Sequence, residues 1–222
     1  ILSRLVGSEM CIRDSANSMH EEKIAERLSA ARPDLSITLS SQVCPEIREY
    51  ERQSTACANA YVQPLMSRYL TKLDEALQSM GFMCPFLLMT SGGGLTTLDT
   101  SIKFPVRLVE SGPAGGAILA TEIAKECGID NVLSFDMGGT TAKICLIDDY
   151  TPQMTRTFEV ARVYRNLKGS GLPLRIPAIE MVEIGAGGGS IAKVDDMKRI
   201  SVGPESSGAS PGPACYGQGG LD

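Results

Sequence analysis

Phe135-Asp-Met-Gly-Gly-Thr-Thr-Ala-Lys143 limits what this chain can fold into more than any other segment. Asn131–Phe135 reads as a strand, and Ala142–Ile147 reads as its return. Between them a carboxylate stands at the strand's C-terminal end, followed by two glycines and two threonines. Bare amides and hydroxyls can approach a polyphosphate there without obstruction by a Cβ. Asp136 would face a divalent cation or its water shell, because Mg²⁺ takes one or two carboxylates and completes its shell with phosphate oxygens and water. The same residues also describe an ordinary hairpin turn with a solvated aspartate.

Elements of both periods surround this turn. Ser18-Met-His-Glu21 is a capping-box pattern, with Ile24, Ala25, Leu28 and Ala31 at helical spacing behind it. Leu35, Ile37 and Leu39 alternate like a strand. Pro45 suits the first turn of a long helix, with Pro64 as a kink. Its apolar stripe runs through Ala58, Tyr61, Val62, Leu65, Tyr69, Leu73, Leu77 and Met80 and reads as core. Phe86–Met89 is a short strand running into Ser91-Gly-Gly-Gly94, and Val106–Val109 is a further apolar piece. The turn Glu110–Gly116 precedes a small-residue helix that stops at Gly128. Strands alternating with helices around glycine turns give an α/β layered fold.

Residues 169–222 hold 12 of the 23 glycines. Arg175–Ile184 reads as extended, and Ile191–Val194 with Ile200–Val202 as a hairpin across Asp195-Asp196. Past Val202 the chain is too rich in Pro and Gly for regular structure, and Gly203–Gly217 reads as a proline-fixed lid or cleft wall. Gly185-Ala-Gly-Gly-Gly-Ser190 has two meanings. Its stacked amides could hold an anion at Gly187, Gly188, Gly189 and Ser190. Its glycines could equally permit a close backbone crossing. The dinucleotide fingerprint fits badly, because Ser190 stands where the last glycine belongs and an extended segment succeeds it.

Composition removes several functions. With a formal charge of -5 there is no electrostatic footprint for nucleic acid or an anionic membrane, and no apolar run is long enough to span a bilayer. Trp is absent and 5% of residues are aromatic, which disfavours base-stacking platforms. A catalytic triad, a Cys-His dyad or a multi-His zinc site would each need His20, the single histidine. The seven cysteines are scattered and never form C-x-x-C, as expected of buried thiols in a reducing cytoplasm. Residues 1–15, ILSRLVGSEMCIRDS, have no helical or strand period that continues into residue 16 and beyond, and they look like a translated sequencing adapter.

A small-residue helix, a spacer, an apolar strand and D-x-G-G-T, in that order, resemble the actin-like ATPase superfamily. Seven blocks narrow the resemblance: Pro45–Arg52, Ser91–Gly94, Glu110–Gly116, Phe135–Thr140, Glu183–Ala192, Val202–Ser206 and Ser210–Gly217. Together, over residues 16–222, they are similar to the hydantoinase A / 5-oxoprolinase family. The resemblance implies a partial α/β, actin-like (ribonuclease H-like) fold, with 16–128 closing one domain and 129–222 opening the next. It implies an internal fragment of an ATP-dependent hydrolase A subunit that opens cyclic amides by phosphorylating a carbonyl oxygen. A ketone carboxylase subunit of the same family is the alternative. A nucleotide-switched binding module is another, but such proteins lack the blocks after residue 180.

ATP and Mg²⁺ are the implied ligands, with a cyclic amide or ketone substrate and a hydantoinase B-type partner. Asp136 and Glu110 are the implied catalytic residues, Glu110 falling near an acid that orients water in several superfamily members. Asp136 is also the metal ligand, and Gly138, Gly139, Thr140 and Thr141 bind phosphate. Lys143 stands where many actin-like loops carry a second acid, so it contacts phosphate or is simply a solvated lysine. Cys215, with no base near it in sequence, reads as a buried thiol.

Overall fold

The computed structural model describes residues 17–164, 167 and 169–221, so the adapter-like residues 1–15 lie outside it. The chain forms two compact units. One holds the described residues through Ser111 together with 155–178, and the other holds 112–154 and those from Ile179 onward. Compactness therefore divides the chain differently from the expected domain boundary at residue 128. The reason is where apolar residues find company. Ala114 and Ala117 pack with Cys145, Ile147 and Ile179, whereas Phe158 and Val160 join Val43, Cys44, Val106, Leu174 and Ile176.

In the first unit the helix Met19–Ala31 forms as expected, but without the capping box. The Ser18 hydroxyl donates to Glu22 Oε1 at 2.7 Å, and Asn17 Oδ1 accepts from the Met19 amide at 3.0 Å. Glu21 is buried instead. Its carboxylate accepts from the Ser40 hydroxyl, and from the amide and hydroxyl of Ser41 at 2.9 and 2.6 Å. That places an acid at the start of the short helix Ser40–Val43, where helix-end amides favour one. Leu35–Leu39 joins no strand among the described residues, so its alternation never becomes a ladder.

Pro45 ends a helix and does not begin one. It comes after Cys44, the C-cap of Ser40–Val43, a usual place for proline. The long helix starts only at Glu49, after Arg48 at φ +93, and runs unbroken past Pro64 to Ser79. Its buried face is also not the one expected. Tyr61, Leu65 and Tyr69 are 87%, 64% and 59% exposed, while Arg52, Thr55, Asn59 and Leu70 are buried. Asn59 explains this choice. Its Nδ2 donates to Thr38 Oγ1 and to the Lys103 carbonyl, both at 3.0 Å, and its Oδ1 accepts from the Val106 amide at 3.2 Å. Satisfying the loop backbone outranks burying one more apolar stripe.

The strand Leu87–Met89 pairs antiparallel with Leu95–Thr97, and Thr97 caps the helix Leu98–Lys103 through the Thr100 amide. The apolar piece at Val106 is a 3₁₀ turn, Pro105–Leu108.

In the second unit the expected turn Gly112–Gly116 is helical, because the helix already begins at Ser111 and ends at Cys127. Pro113 sits in its first turn, where a missing amide costs nothing. Gly128 at φ +68 closes it, with the Ile129 amide reaching the Ala124 carbonyl at 3.0 Å. Beyond it lies a small antiparallel sheet in the order Val182–Ile184, Ala142–Asp148, Val132–Met137, with Thr151–Pro152 also paired to the second of these. The expected hairpin Ser190–Val194 and Ile200–Ser206 forms, and its second strand continues past Val202. Gly203 and Pro204 fit because the register shifts there, between the pairs Ala192–Val202 and Ser190–Ser206, where a bulge tolerates proline.

Candidate phosphate-binding turn

The D-x-G-G-T turn and the glycine loop around residue 188 both lie within the second unit. Asp136 stands opposite Lys143 in the ladder, and Lys143 stands opposite Glu183 on its other side. Directly opposed residues share a sheet face, so the three form an acid–base–acid row across three strands. Alternation puts Cys145 and Ile147 on that same face, the one packed on Ala114 and Ala117 of the helix. The D-x-G-G-T turn thus leaves the sheet at the end of a helix-covered face.

The turn is closed by the Gly138 amide donating to the Thr141 carbonyl at 2.9 Å, and a second glycine loop lies against it. The Gly188 amide donates to the Gly138 carbonyl at 3.0 Å, and the Gly189 amide to the Gly139 carbonyl at 2.9 Å. Gly187 donates to Ser190 Oγ at 2.9 Å, and the Ser190 amide donates back to the Gly187 carbonyl at 3.0 Å. All four amides of Gly187–Ser190 are spent within the chain, as a close backbone crossing requires and an anion nest does not. A Cβ on Gly187 would lie 2.6 Å from the Gly138 oxygen and 2.7 Å from both Gly139 C and Thr140 N. No other residue fits there without a shift of backbone.

This contact orients the first turn. A trans peptide is planar, with its C=O and N–H pointing opposite ways. Because the Gly138 and Gly139 carbonyls face the second loop, the amides of Gly139 and Thr140 face away from it. Among the described residues nothing accepts from these two amides, and the hydroxyls of Thr140 and Thr141 likewise make no bond. Gly138 and Gly139 do not have positive φ. A Cβ on either would meet nothing nearer than 3.6 or 3.8 Å, so the chain itself does not demand glycine there. The bare backbone is left open to a group from outside, and two outward amides with two hydroxyls are a donor set for phosphate oxygens.

Among the described residues no three His, Cys, Asp or Glu side chains gather as a metal cage. One carboxylate, Asp136, fits Mg²⁺ held chiefly by phosphate and water. Glu110 belongs to the first unit, at φ +60, an uncommon conformation for a residue with a side chain. Burial pushes the thiols of Cys44 and Cys145 up, whereas Cys57, Cys84, Cys127 and Cys215 are exposed, contrary to expectation. The residue that sequence reasoning passed over is Tyr216, inside the Pro-Ala-Cys-Tyr-Gly run. It closes a 3₁₀ turn, Ala214–Tyr216, with its hydroxyl near both glycine loops.

Residues 52–222 match the family model described as Hydantoinase/oxoprolinase. The chain is 42% identical over 206 residues to an uncharacterised protein of Methanocaldococcus jannaschii, covering 91% of this chain and 30% of that one. It is 37% identical to the caprolactamase subunit alpha of Pseudomonas jessenii, covering 93% and 28%. The crystal structure of the ATP-dependent caprolactamase from that organism superposes with a TM-score of 0.72 at 35% identity, covering 94% of this chain and 29% of that one. The acetophenone carboxylase gamma subunit of Aromatoleum aromaticum is 30% identical, covering 93% and 28%. The likeness gives an α/β fold of the actin-like class. The chain spans less than a third of the length of these relatives.

Proposed function

The chain belongs to the hydantoinase/oxoprolinase family, and from that premise we propose that it carries the phosphate-handling turn of an ATP-dependent enzyme that opens cyclic amides of the hydantoin or 5-oxoproline type. One observation carries the reading: the outward amides of Gly139 and Thr140, held beside Asp136 by a second backbone loop. Thr140 and Thr141, with the Gly139 amide, take the phosphate oxygens, whereas Gly138, expected among them, instead closes the turn with its amide on the Thr141 carbonyl, and Asp136 would hold Mg²⁺, which offsets phosphate charge. ATP supplies a phosphoryl group to the amide carbonyl oxygen, converting an unreactive amide into one that water can open. Glu110 is proposed to orient that water. Gly187–Ser190 belong to the nucleotide site through the turn they support. In a protein of the family's full length, residues 16–128 would close one actin-like domain and 129–222 open the next.

The named relatives include subunits of a caprolactamase and of a carboxylase, which supports a second subunit of the hydantoinase B type as partner. Six free cysteines among the described residues suit a reducing cytoplasm, and among those residues no helix is long and apolar enough to cross a membrane. The 30% identity to an acetophenone carboxylase subunit favours a second reading, ATP-dependent activation of a ketone. The two separate in one assay. A family-length protein carrying this segment, with its B-type partner, is given Mg-ATP and either 5-oxoproline and hydantoin, or acetophenone and acetone with bicarbonate. Phosphate release stimulated by the cyclic amides supports the first reading, and release stimulated only by ketone with bicarbonate replaces it with the second.

A further inference from the structure

Tyr216 is placed by the fold at the phosphate turn, although nothing in the sequence marks it as more than part of a proline-rich wall. Its ring lies against Gly212, where a Cβ would come within 2.7 Å of Cδ2. Its amide donates to the Pro213 carbonyl at 2.9 Å, and Gly217 at φ +67 ends the 3₁₀ turn behind it. The side chain is therefore set by backbone on both sides. Its hydroxyl would lie 3.3 Å from a Cβ on Gly188 and 3.8 Å from one on Gly139. It thus stands over the crossing of the two glycine loops, and it makes no hydrogen bond to any described residue. The residue remains 45% exposed.

A phenol hydroxyl beside the turn that carries the open amides of Gly139 and Thr140 is a further donor in search of an acceptor. Resting on the proposal that the turn holds phosphate, we infer that Tyr216 is a further nucleotide-binding residue, whose O–H donates to a phosphate oxygen seated on the Gly139 and Thr140 amides. The acceptor class comes from the neighbours. Two amides, two threonine hydroxyls and a phenol all donate, so the group they share is an anion rich in oxygen. Glycine at 188 leaves the hydroxyl room, because a Cβ there would lie 3.3 Å from it and would otherwise meet only the Gly138 carbonyl, at 3.9 Å.

The test uses the family-length protein carrying this segment, with calorimetry of Mg-ATP binding and ligand-observed NMR of adenosine. Tyr216→Phe removes one oxygen and keeps the ring on Gly212. Its Kd for Mg-ATP should rise about tenfold, the loss expected for one hydrogen bond to a charged group. Its affinity for adenosine, which has no phosphate, should stay that of the wild type. Gly188→Ala, which pushes on the hydroxyl, should weaken Mg-ATP in the same direction while Tyr216 is retained. An unchanged Kd in Tyr216→Phe, in a protein whose Asp136→Ala variant loses Mg-ATP turnover, overturns the role of Tyr216 and leaves the phosphate turn standing. Equal losses for Mg-ATP and adenosine also overturn it, since they mark a general structural effect. A wild-type protein that binds no Mg-ATP overturns the phosphate turn itself, and Tyr216 with it.

Discussion

Asp136 reaches its place through the register of one hairpin, standing opposite Lys143 just before the double-glycine turn. In the family-length protein Asp136→Ala should lower ATP turnover by about 10²–10³, the usual loss when one electrostatic group at the reacting centre is removed. A coupled assay at saturating Mg-ATP measures it, and unchanged turnover would make the turn structural only. Asn59 makes a contrasting prediction. It is fully buried and serves three partners in the first unit. Asn59→Ala strands the Val106 amide and leaves the Lys103 carbonyl with Gln63 Nε2, at 3.3 Å, as its side-chain donor, and should cost about 2–4 kcal/mol in urea unfolding without touching phosphate chemistry.

At the scale of elements, the glycine loop Gly187–Gly189 holds the turn through two backbone hydrogen bonds. Gly187→Ala puts a methyl group where backbone already lies, at 2.6–2.7 Å. It should destabilise the protein by about 1–3 kcal/mol or more and weaken Mg-ATP in the same variant, since the carbonyls it displaces are those that turn the Gly139 and Thr140 amides outward. Thermal unfolding and calorimetry measure the two effects together. The neighbouring hairpin carries its own pH dependence. The Arg199 amide and guanidinium, with the Met197 amide, hold the Asp195 carboxyl below its ordinary range. A depressed folded value means the contribution is complete above pH ~4 and fades as pH falls through the lower folded value. NMR shifts of residues 190–206 should track that titration in the wild type and lose it in Asp195→Asn.

On the scale of the whole molecule, apolar surface is the dominant feature. One face of the second unit's sheet presents Leu133, Phe135, Met137, Leu146, Val182 and Ile184, each at least 43% exposed. The long helix of the first unit leaves Tyr61, Leu65 and Tyr69 in solvent. Faces of that extent are interaction or aggregation surfaces. The 222 residues on their own should therefore bind a hydrophobic dye such as ANS strongly and self-associate as concentration rises. They should also bind Mg-ATP weakly or not at all, because phosphoryl transfer relies on clamping from both sides of the nucleotide. Light scattering, dye fluorescence and calorimetry on the isolated chain measure these, and a monodisperse chain with little dye fluorescence and micromolar Mg-ATP affinity would contradict all three expectations.

Local rules were enough for the strand–turn–strand around Asp136, the helix ending at Gly128 and the hairpin across Asp195-Asp196, because glycine φ preference and residue alternation act within a few positions. The family was legible for the same reason, in short blocks of local sequence. Tertiary structure decided the rest. Glu21 could cap its own helix or anchor another, and only the approach of Ser40 and Ser41 chose between them. Thr55 and Asn59 displaced Tyr61 and Leu65 from the buried face because distant backbone groups, at Arg175, Lys103 and Val106, needed partners. Gly187–Ser190 could bind an anion or cross another backbone, and the choice fell to the carbonyls of Gly138 and Gly139, some fifty residues earlier in the chain. A polar group's partner is set by what the fold brings within about 3 Å of it, and sequence spacing does not encode that distance.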